Sequence, residues 1–287
     1  MKGLRRALFA ALVLAVPWTQ SRIEARAGAF RATEESLYLW SGRHVRLLAP
    51  GFEGLAADLY WLRTVQYFGS QRVFGSGKRF DLLLPLIEIT TSLDPRMEIA
   101  YRYGAIFLSE PQPVGAGRPQ DGVAVLERGV ERVPGSWRLR QDLGYWHFLF
   151  LKDASRGAQV LLEASKLPGA PYWLRTLAAD ILTRGGERAT SRRIWESMYA
   201  SSEGSIRENA RVHLRELDAL DVADALTAAV KSYERDAGRR PGSLGSLPSA
   251  LRKGLPLVDS AGFPFHYDPS TGRVSLSPRS PLWRPEP

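Results

Sequence analysis

Cysteine is absent from this sequence of 287 residues, and histidine occurs only four times. Without cysteine there is no thiol nucleophile, disulfide, Cys-ligated zinc or iron–sulfur site, or lipidated cysteine. The histidines show no H-x3-H or H-E-x2-H spacing and no adjacent acid at metal-ligand intervals; they are His44, His147, His213 and His266. We therefore expect no metal or other cofactor.

Lysine is also scarce, since only six of the 39 Lys and Arg residues are Lys. The formal net charge of +9 favours acidic partners or membrane surfaces. The apolar fraction of 44% and the charged fraction of 24% are ordinary for a globular chain. The length allows one large or two modest domains.

The N-terminus resembles a secretory signal, because Lys2, Arg5 and Arg6 precede an unbroken apolar run from Ala7 to Val16. The run is shorter than the roughly 20 residues of a comfortable transmembrane helix, although a retained anchor stays open. Ala25-Arg26-Ala27 offers a cleavage site. We expect an exported protein, either soluble in the periplasm or tethered to the inner membrane, and nucleic acid is not an expected partner.

The middle of the chain has helical apolar spacing from about Leu55 to Leu220, interrupted by Pro, Gly and Asp. The predicted helices are 54–69, 83–92, 97–109, 119–132, 137–152, 155–166, 172–184, 188–200 and 206–220. A further helix is predicted over Val222 to Asp236, before the stop signal of Gly238 and Pro241.

Residue pairs recur in this helical region at a spacing of 34 residues. The pairs are Pro134 and Pro168, Leu143 and Leu177, Gly144 and Ala178, Gly157 and Ser191, and Leu161 and Trp195. A period of this length is typical of an array of helix pairs. Small residues at these places allow the two helices of a pair to approach closely.

The pattern resembles the tetratricopeptide repeat, W-x2-L-G-x2-Y, then A-x3-F, then P. The central unit matches at Leu143-Gly144, His147, Gly157, Leu161 and Pro168. The flanking units match at Tyr103-Gly104, Gly122, Leu126 and Pro134, and at Leu177-Ala178, Ser191 and Trp195. The Trp place departs from the pattern, holding Ala100, Arg140 and Leu174, and a loop from Pro111 to Pro119 lengthens the first unit.

The C-terminal part changes to a period of two at Phe263, Phe265 and Tyr267, and again at Val274 and Leu276. With a turn-rich stretch between them, these segments predict a β-hairpin. Together with Ala229, Tyr233, Gly238, Arg239, Pro241, Leu244 and Leu247, the hairpin is similar to the globular end of type II secretion pseudopilins. We expect it to cap the open end of the helical array.

The expected fold is mainly α, a right-handed solenoid of helical hairpins like that of tetratricopeptide repeats, with a small C-terminal α+β cap. The predicted regions are a signal peptide or signal anchor (1–27), an N-terminal extension (28–53), helical repeats (54–220), the cap (221–278) and a flexible tail (279–287).

The resemblance implies a concave groove formed by the first helix of each unit, at positions two or three before the Gly and one after it. Carried over, these positions are Tyr101, Arg102, Ala105, Gln141, Asp142, Tyr145, Arg175, Thr176 and Ala179. Arginine holds a carboxylate by two parallel hydrogen bonds, so the expected ligand is an acidic or C-terminal peptide segment. The expected function is a non-catalytic scaffold, within an envelope, secretion or pilus assembly.

One enzymatic alternative is a lytic transglycosylase, a class that combines helical superhelices with a catalytic Glu-Ser pair. Glu196-Ser197 and Glu35-Ser36 are such dipeptides. Neither is followed by the Gly-Leu-Met-Gln type of segment found in that family. The interpretation of Glu196 as a solvated helix residue is therefore preferred.

Overall fold

The computed structural model describes residues 22, 42–48, 50–74, 80–252 and 254–284. The chain divides into two compact units, 1–40 and 41–287, and all the described residues except Arg22 belong to the second. The predicted signal segment and Glu35-Ser36 lie outside the described residues, again apart from Arg22. Within the described part, no helix is both long enough and apolar enough to cross a bilayer.

The described residues are mainly helical, with one small antiparallel sheet near the C-terminal end. The helices are α1 (Gly42–Leu48), α2 (Glu53–Phe74), α3 (Leu83–Leu93), α4 (Glu98–Ser109), α5 (Pro119–Arg132), α6 (Trp137–Leu149), α7 (Ala154–Ala164), α8 (Trp173–Arg184), α9 (Arg188–Ser201), α10 (Gly204–Ala237), a 3-10 turn (Leu244–Ser246) and α11 (Ser249–Arg252). The strands are β1 (His266–Asp268) and β2 (Arg273–Ser275).

Most helix bounds agree with the sequence-based expectation, but α2 continues to Phe74, beyond its expected end at 69, and α11 was not expected. Helix α1 lies inside the predicted extension, and α10 is continuous where two helices were expected. The chain has no Gly or Pro near Asp221 that would end a helix. Arg192 also bridges Asp218 and Asp221, which fixes this stretch of α10 against α9. Helix α10 ends at Gly238, whose φ of 67° suits glycine.

From α2 to α10 each helix packs mainly against its neighbours in the sequence, whereas α1 packs mainly against α3. The most extensive contacts join α2 with α3, α4 with α5, α6 with α7, α7 with α8, and α9 with α10. The core is correspondingly a chain of apolar clusters, one around α7 and α8, one between α9 and α10, and one under the sheet. Stability therefore rests on nearest-neighbour interfaces along the row of helices.

The helices of three pairs touch at a backbone carbonyl of the first helix. A Cβ added to Gly157 would lie 2.7 Å from the Gly144 oxygen. In the next pair the Ser191 hydroxyl donates to the Ala179 oxygen at 2.8 Å. These contacts make Ala179 the structural counterpart of Gly144.

The first pair follows the same rule, because a Cβ added to Gly122 would lie 3.0 Å from the Ala105 oxygen. Ala105 and Ala179 thus occupy the place that the sequence pattern assigns to Gly104 and Ala178. The pattern is displaced by one residue because the α6–α7 loop, 150–153, is one residue longer than the α8–α9 loop, 185–187. The spacing of 34 residues therefore holds from Gly157 of α7 to Ser191 of α9 and fails from Gly144 of α6 to Ala179 of α8.

The predicted C-terminal hairpin is present, with Tyr267 opposite Val274. Its turn is fixed by Asp268, whose carboxylate accepts hydrogen bonds from Ser270 and Thr271. These bonds lower the pKa of Asp268 to about 2. The sheet is docked on α10, since the Val274 amide donates to the Thr227 hydroxyl at 3.0 Å.

Two residues of the predicted tail, Ser280 and Leu282, are buried, whereas the other described tail residues are exposed. Leu282 is buried in the apolar cluster under the sheet, and the buried Ser280 hydroxyl donates to Asp259. Burial of its apolar side chain stabilises the position of Leu282. Arg284 is thereby brought against α10.

Candidate functional site

Three of the predicted groove residues are buried and serve packing. Tyr101 is 2% exposed, and Ala105 and Ala179 are fully covered. The Tyr101 ring lies against Gly129 of α5, and its hydroxyl donates to the Pro95 oxygen at 3.3 Å. The side chains of these three residues therefore lie between helices, and the prediction that they face a ligand would require the helices to separate.

Two other predicted groove residues bind each other and connect α4 to α6. The Arg102 guanidinium donates to Asp142 from Nε at 2.5 Å and from Nη2 at 3.4 Å. The Asp142 side chain is 12% exposed and that of Arg102 is 32% exposed. Both charges are therefore already partnered within the protein.

The electrostatics of this pair reflect the burial of the carboxylate. Burial raises the pKa of the Asp142 carboxyl, and the hydrogen bond from Arg102 opposes that rise without cancelling it. The same hydrogen bond raises the pKa of the Arg102 guanidinium. Asp142 thus depends on Arg102, while Arg102 retains access to water.

Gln141 and Tyr145 lie half-buried on α6, on the side of the helix that carries Asp142. Burial raises the pKa of the Tyr145 hydroxyl, and the negative charge of Asp180 on α8 raises it further. Tyr145 is therefore within electrostatic reach of the next helical pair. The face of α6 that carries these residues continues onto α8.

Arg175 and Thr176 separate in the structure. The Arg175 guanidinium donates to the Ser197 hydroxyl of α9 at 3.3 Å. Thr176 instead lines a cavity of about 360 Å³. The one-residue displacement of the pattern explains why Arg175 and Thr176 differ. The groove positions lie two and three residues before the small residue, so counting from Ala179 selects Thr176 and Leu177 and excludes Arg175.

The cavity lies between α8, α10 and the C-terminal segment. Its lining consists of Trp173, Thr176, Leu177, Asp180, Arg184, Asn209, His213 and Arg284. The α8 members are spaced as one helical face. Two of them, Asp180 and Arg184, form an ion pair with 3.0 Å between Arg184 Nε and Asp180 Oδ2. The cavity is an open depression on the surface and not an enclosed chamber.

An aromatic and charged cluster forms one wall of the cavity. The His213 ring stacks on the buried ring of Trp195, with centroids 4.1 Å apart. His213 Nδ1 lies 3.0 Å from Oε2 of the buried Glu216. Arg284 reaches the same oxygen at 3.5 Å. These contacts fix the His213 ring and the C-terminal segment on the cavity wall.

Sequence reasoning missed this cluster although a signal was present. Glu216 follows His213 by three residues, which places both on one helical face. The contribution of Arg284 could not be foreseen, since it depends on the burial of Leu282. Among the described residues no group of three or more His, Cys, Asp or Glu side chains is placed to hold a metal ion.

Glu196, the alternative catalytic candidate, is exposed on α9 and does not line the cavity. Its neighbour Ser197 accepts the hydrogen bond from Arg175.

Comparison with family models, with curated proteins and with solved structures gave no match for this chain.

Proposed function

We propose that the protein is an exported, non-catalytic scaffold that binds a protein segment along the face formed by α4, α6, α8 and α10. In this proposal the helical pairs form a right-handed solenoid like that of tetratricopeptide repeats. Packing between sequence neighbours and the recurring carbonyl contacts support such an array. The charged and apolar N-terminal segment supports export, with the protein acting within an envelope, secretion or pilus assembly.

The single observation that carries the proposal is the lining of the cavity. The resemblance assigns groove positions relative to the small residue of each first helix. Counted from Ala179, those positions are Thr176, Leu177 and Asp180, and all three line the cavity. The choice of Ala179 as the reference residue depends on contacts between α8 and α9. The cavity lies on another side of α8, so its lining supports that choice independently.

The side chains of the cavity suit an acidic or C-terminal peptide segment. Arg184, Arg284 and Asn209 provide hydrogen-bond donors for carboxylates. Trp173 and Leu177 provide apolar surface for the neighbouring side chains of the peptide. The acids that pair with the two arginines hold the guanidinium groups in place before a ligand arrives.

The proposal is tested with a Glu-rich peptide carrying a free carboxylate, with its amidated form and with a Lys-rich peptide. Fluorescence anisotropy measures binding to the wild-type chain, to Arg284→Gln and to Arg193→Gln. Arg193 is an exposed arginine of α9 outside the cavity lining, so its variant has the same change in net charge. We expect Arg284→Gln to weaken binding by roughly tenfold, as for loss of a charged hydrogen bond of about 1.4 kcal/mol.

Arg193→Gln should bind like the wild type, and the Lys-rich peptide should not bind. Equal weakening by both variants would reduce the effect to net charge and remove the cavity from the proposal. Failure of the Glu-rich peptide to bind the wild-type chain would contradict the assigned ligand class.

A further inference from the structure

Helix α2 exposes an unusual row of large apolar side chains. Leu55, Leu59 and Leu62 are 59%, 59% and 57% exposed, and Phe52 and Val73 extend the row at its two ends. Contiguous apolar surface of this kind on a folded chain marks an interaction site. It lies on a different helix from the groove formed by α4, α6, α8 and α10.

The opposite face of α2 is already occupied by the protein core. Phe68 stacks on Phe107 of α4 with centroids 4.1 Å apart, and Trp61 stacks on the same ring at 6.1 Å. Tyr67 and Phe68 are buried. The leucine row therefore cannot be turned inward without exposing these aromatic rings.

The row follows a heptad spacing. Counting Leu59 as position a, positions a and d from 52 to 73 are Phe52, Leu55, Leu59, Leu62, Gln66, Gly69 and Val73. A repeat of 3.5 residues keeps the same stripe facing a partner helix, as in a two-stranded coiled coil.

The charges beside the row select a second copy of this chain in parallel orientation. Asp58 occupies position g, and Arg63 occupies position e of the following heptad. In a parallel in-register pair, each Asp58 faces Arg63 of the other helix. Neither residue has an ion-pair partner among the described residues. Antiparallel pairing that keeps the leucines in contact places Asp58 opposite Val65 and Arg63 opposite Ala56.

We propose that the chain forms a parallel homodimer through α2, with the leucines packed across the two-fold axis and two Asp58–Arg63 pairs beside them. Gln66 occupies heptad position a, where it faces Gln66 of the second chain, and this polar contact fixes the register of the two helices. The dimer presents two copies of the groove. This inference does not depend on the ligand proposed for the cavity.

The first test measures the mass of the full chain by sedimentation over a range of concentrations. We expect the wild type to dimerise, and Asp58→Arg and Arg63→Asp each to weaken the dimer by about tenfold, because two ion pairs become repulsive. The double variant Asp58→Arg with Arg63→Asp should restore dimerisation. Leu59→Glu should abolish it while leaving the circular dichroism unchanged, since Leu59 is exposed in the single chain.

The second test uses the absence of cysteine from the sequence. Gln66→Cys provides a single thiol on the proposed axis, and mild oxidation should give a covalent dimer. Gln159→Cys, an exposed glutamine on α7, is the matched control and should stay largely monomeric.

A wild-type chain that is monomeric at every concentration would overturn the proposal. A double charge variant as weak as its parent single variants would overturn the parallel pairing. A monomer that floats with phosphatidylglycerol vesicles would overturn the dimer in favour of lipid binding by the leucine row. A monomer whose Leu59→Glu variant unfolds more easily would overturn it in favour of covering by the chain's own N-terminal residues.

Discussion

The helical pairs α6–α7 and α8–α9 reach the same close approach by different chemistry. In the first, Gly144 and Gly157 face each other and leave no room for a side chain. In the second, Ser191 fills that space, and its hydroxyl donates a hydrogen bond to the Ala179 oxygen at 2.8 Å and lies 2.7 Å from Thr183 Oγ1. The comparison shows that a repeating backbone contact does not require a repeating residue, and that contacts define the register better than residue identities do.

Breaking the glycine contact of the first pair should have the largest effect. Gly157→Val places carbon atoms against the Gly144 oxygen, which belongs to a helix backbone and cannot move aside. We expect the free energy of unfolding to fall by about 3 kcal/mol, measured by urea unfolding. Gly135→Val is the control, because Gly135 has no neighbour within 4 Å of its added Cβ. Equal effects of the two changes would mean that the glycine contact is not special.

The ion pair between Arg102 of α4 and Asp142 of α6 should respond differently to the loss of each partner. Arg102→Ala leaves the buried Asp142 carboxylate without its partner, and we expect a loss of about 2 kcal/mol. Asp142→Asn keeps a hydrogen-bond acceptor and leaves a guanidinium that water can reach, so its effect should stay under about 1 kcal/mol. Urea unfolding at neutral pH compares the two. A larger loss for Asp142→Asn would contradict the assignment of Asp142 as the dependent partner.

The smallest expected effect is a pH dependence of the unfolding free energy that arises in the α6–α7 pair and not in the α8–α9 pair. His147 of α6 occupies the place of Leu182 in α8, and burial lowers its pKa. Below the ordinary histidine value of about 6.5 the unfolded chain takes up a proton that the folded chain resists, so stability falls as the pH falls. One such group contributes a slope of at most about 1.4 kcal/mol per pH unit.

His147→Leu should flatten the pH dependence of the unfolding free energy between about pH 6.5 and the lowered pKa, and leave it unchanged above that window. An unchanged slope in the variant would show that another group titrates there. Within the described residues neither ring nitrogen of His147 has a hydrogen-bond partner, so leucine should be tolerated at this position.

The sequence was sufficient for the helical class and for most helix bounds, because apolar spacing and Pro or Gly stops act locally. It was not sufficient for the register of the first helices, which depends on a loop that is one residue longer between α6 and α7. The continuity of α10 was missed because a repeat boundary was expected at Asp221, where no helix-breaking residue is present.

The candidate site was predicted in part for the same reason. Thr176 lines the cavity and Tyr145 is half-buried on α6, whereas Tyr101 is covered by neighbouring helices. His213 is placed at the cavity by stacking on Trp195, and Arg284 is placed there by the burial of Leu282. No local sequence pattern predicts these long-range contacts. Local rules thus predict which helices form, and tertiary packing decides which side chains meet.

The central claim is that the cavity face of α8 binds a peptide in the register that the helix contacts define. Photo-crosslinking tests it with a light-activated amino acid placed at Thr176 in one variant and at Arg175 in another, each mixed with the Glu-rich peptide. We expect a crosslink from position 176 and none from position 175, whose side chain turns towards Ser197. A crosslink from position 175 alone would contradict both the register and the groove.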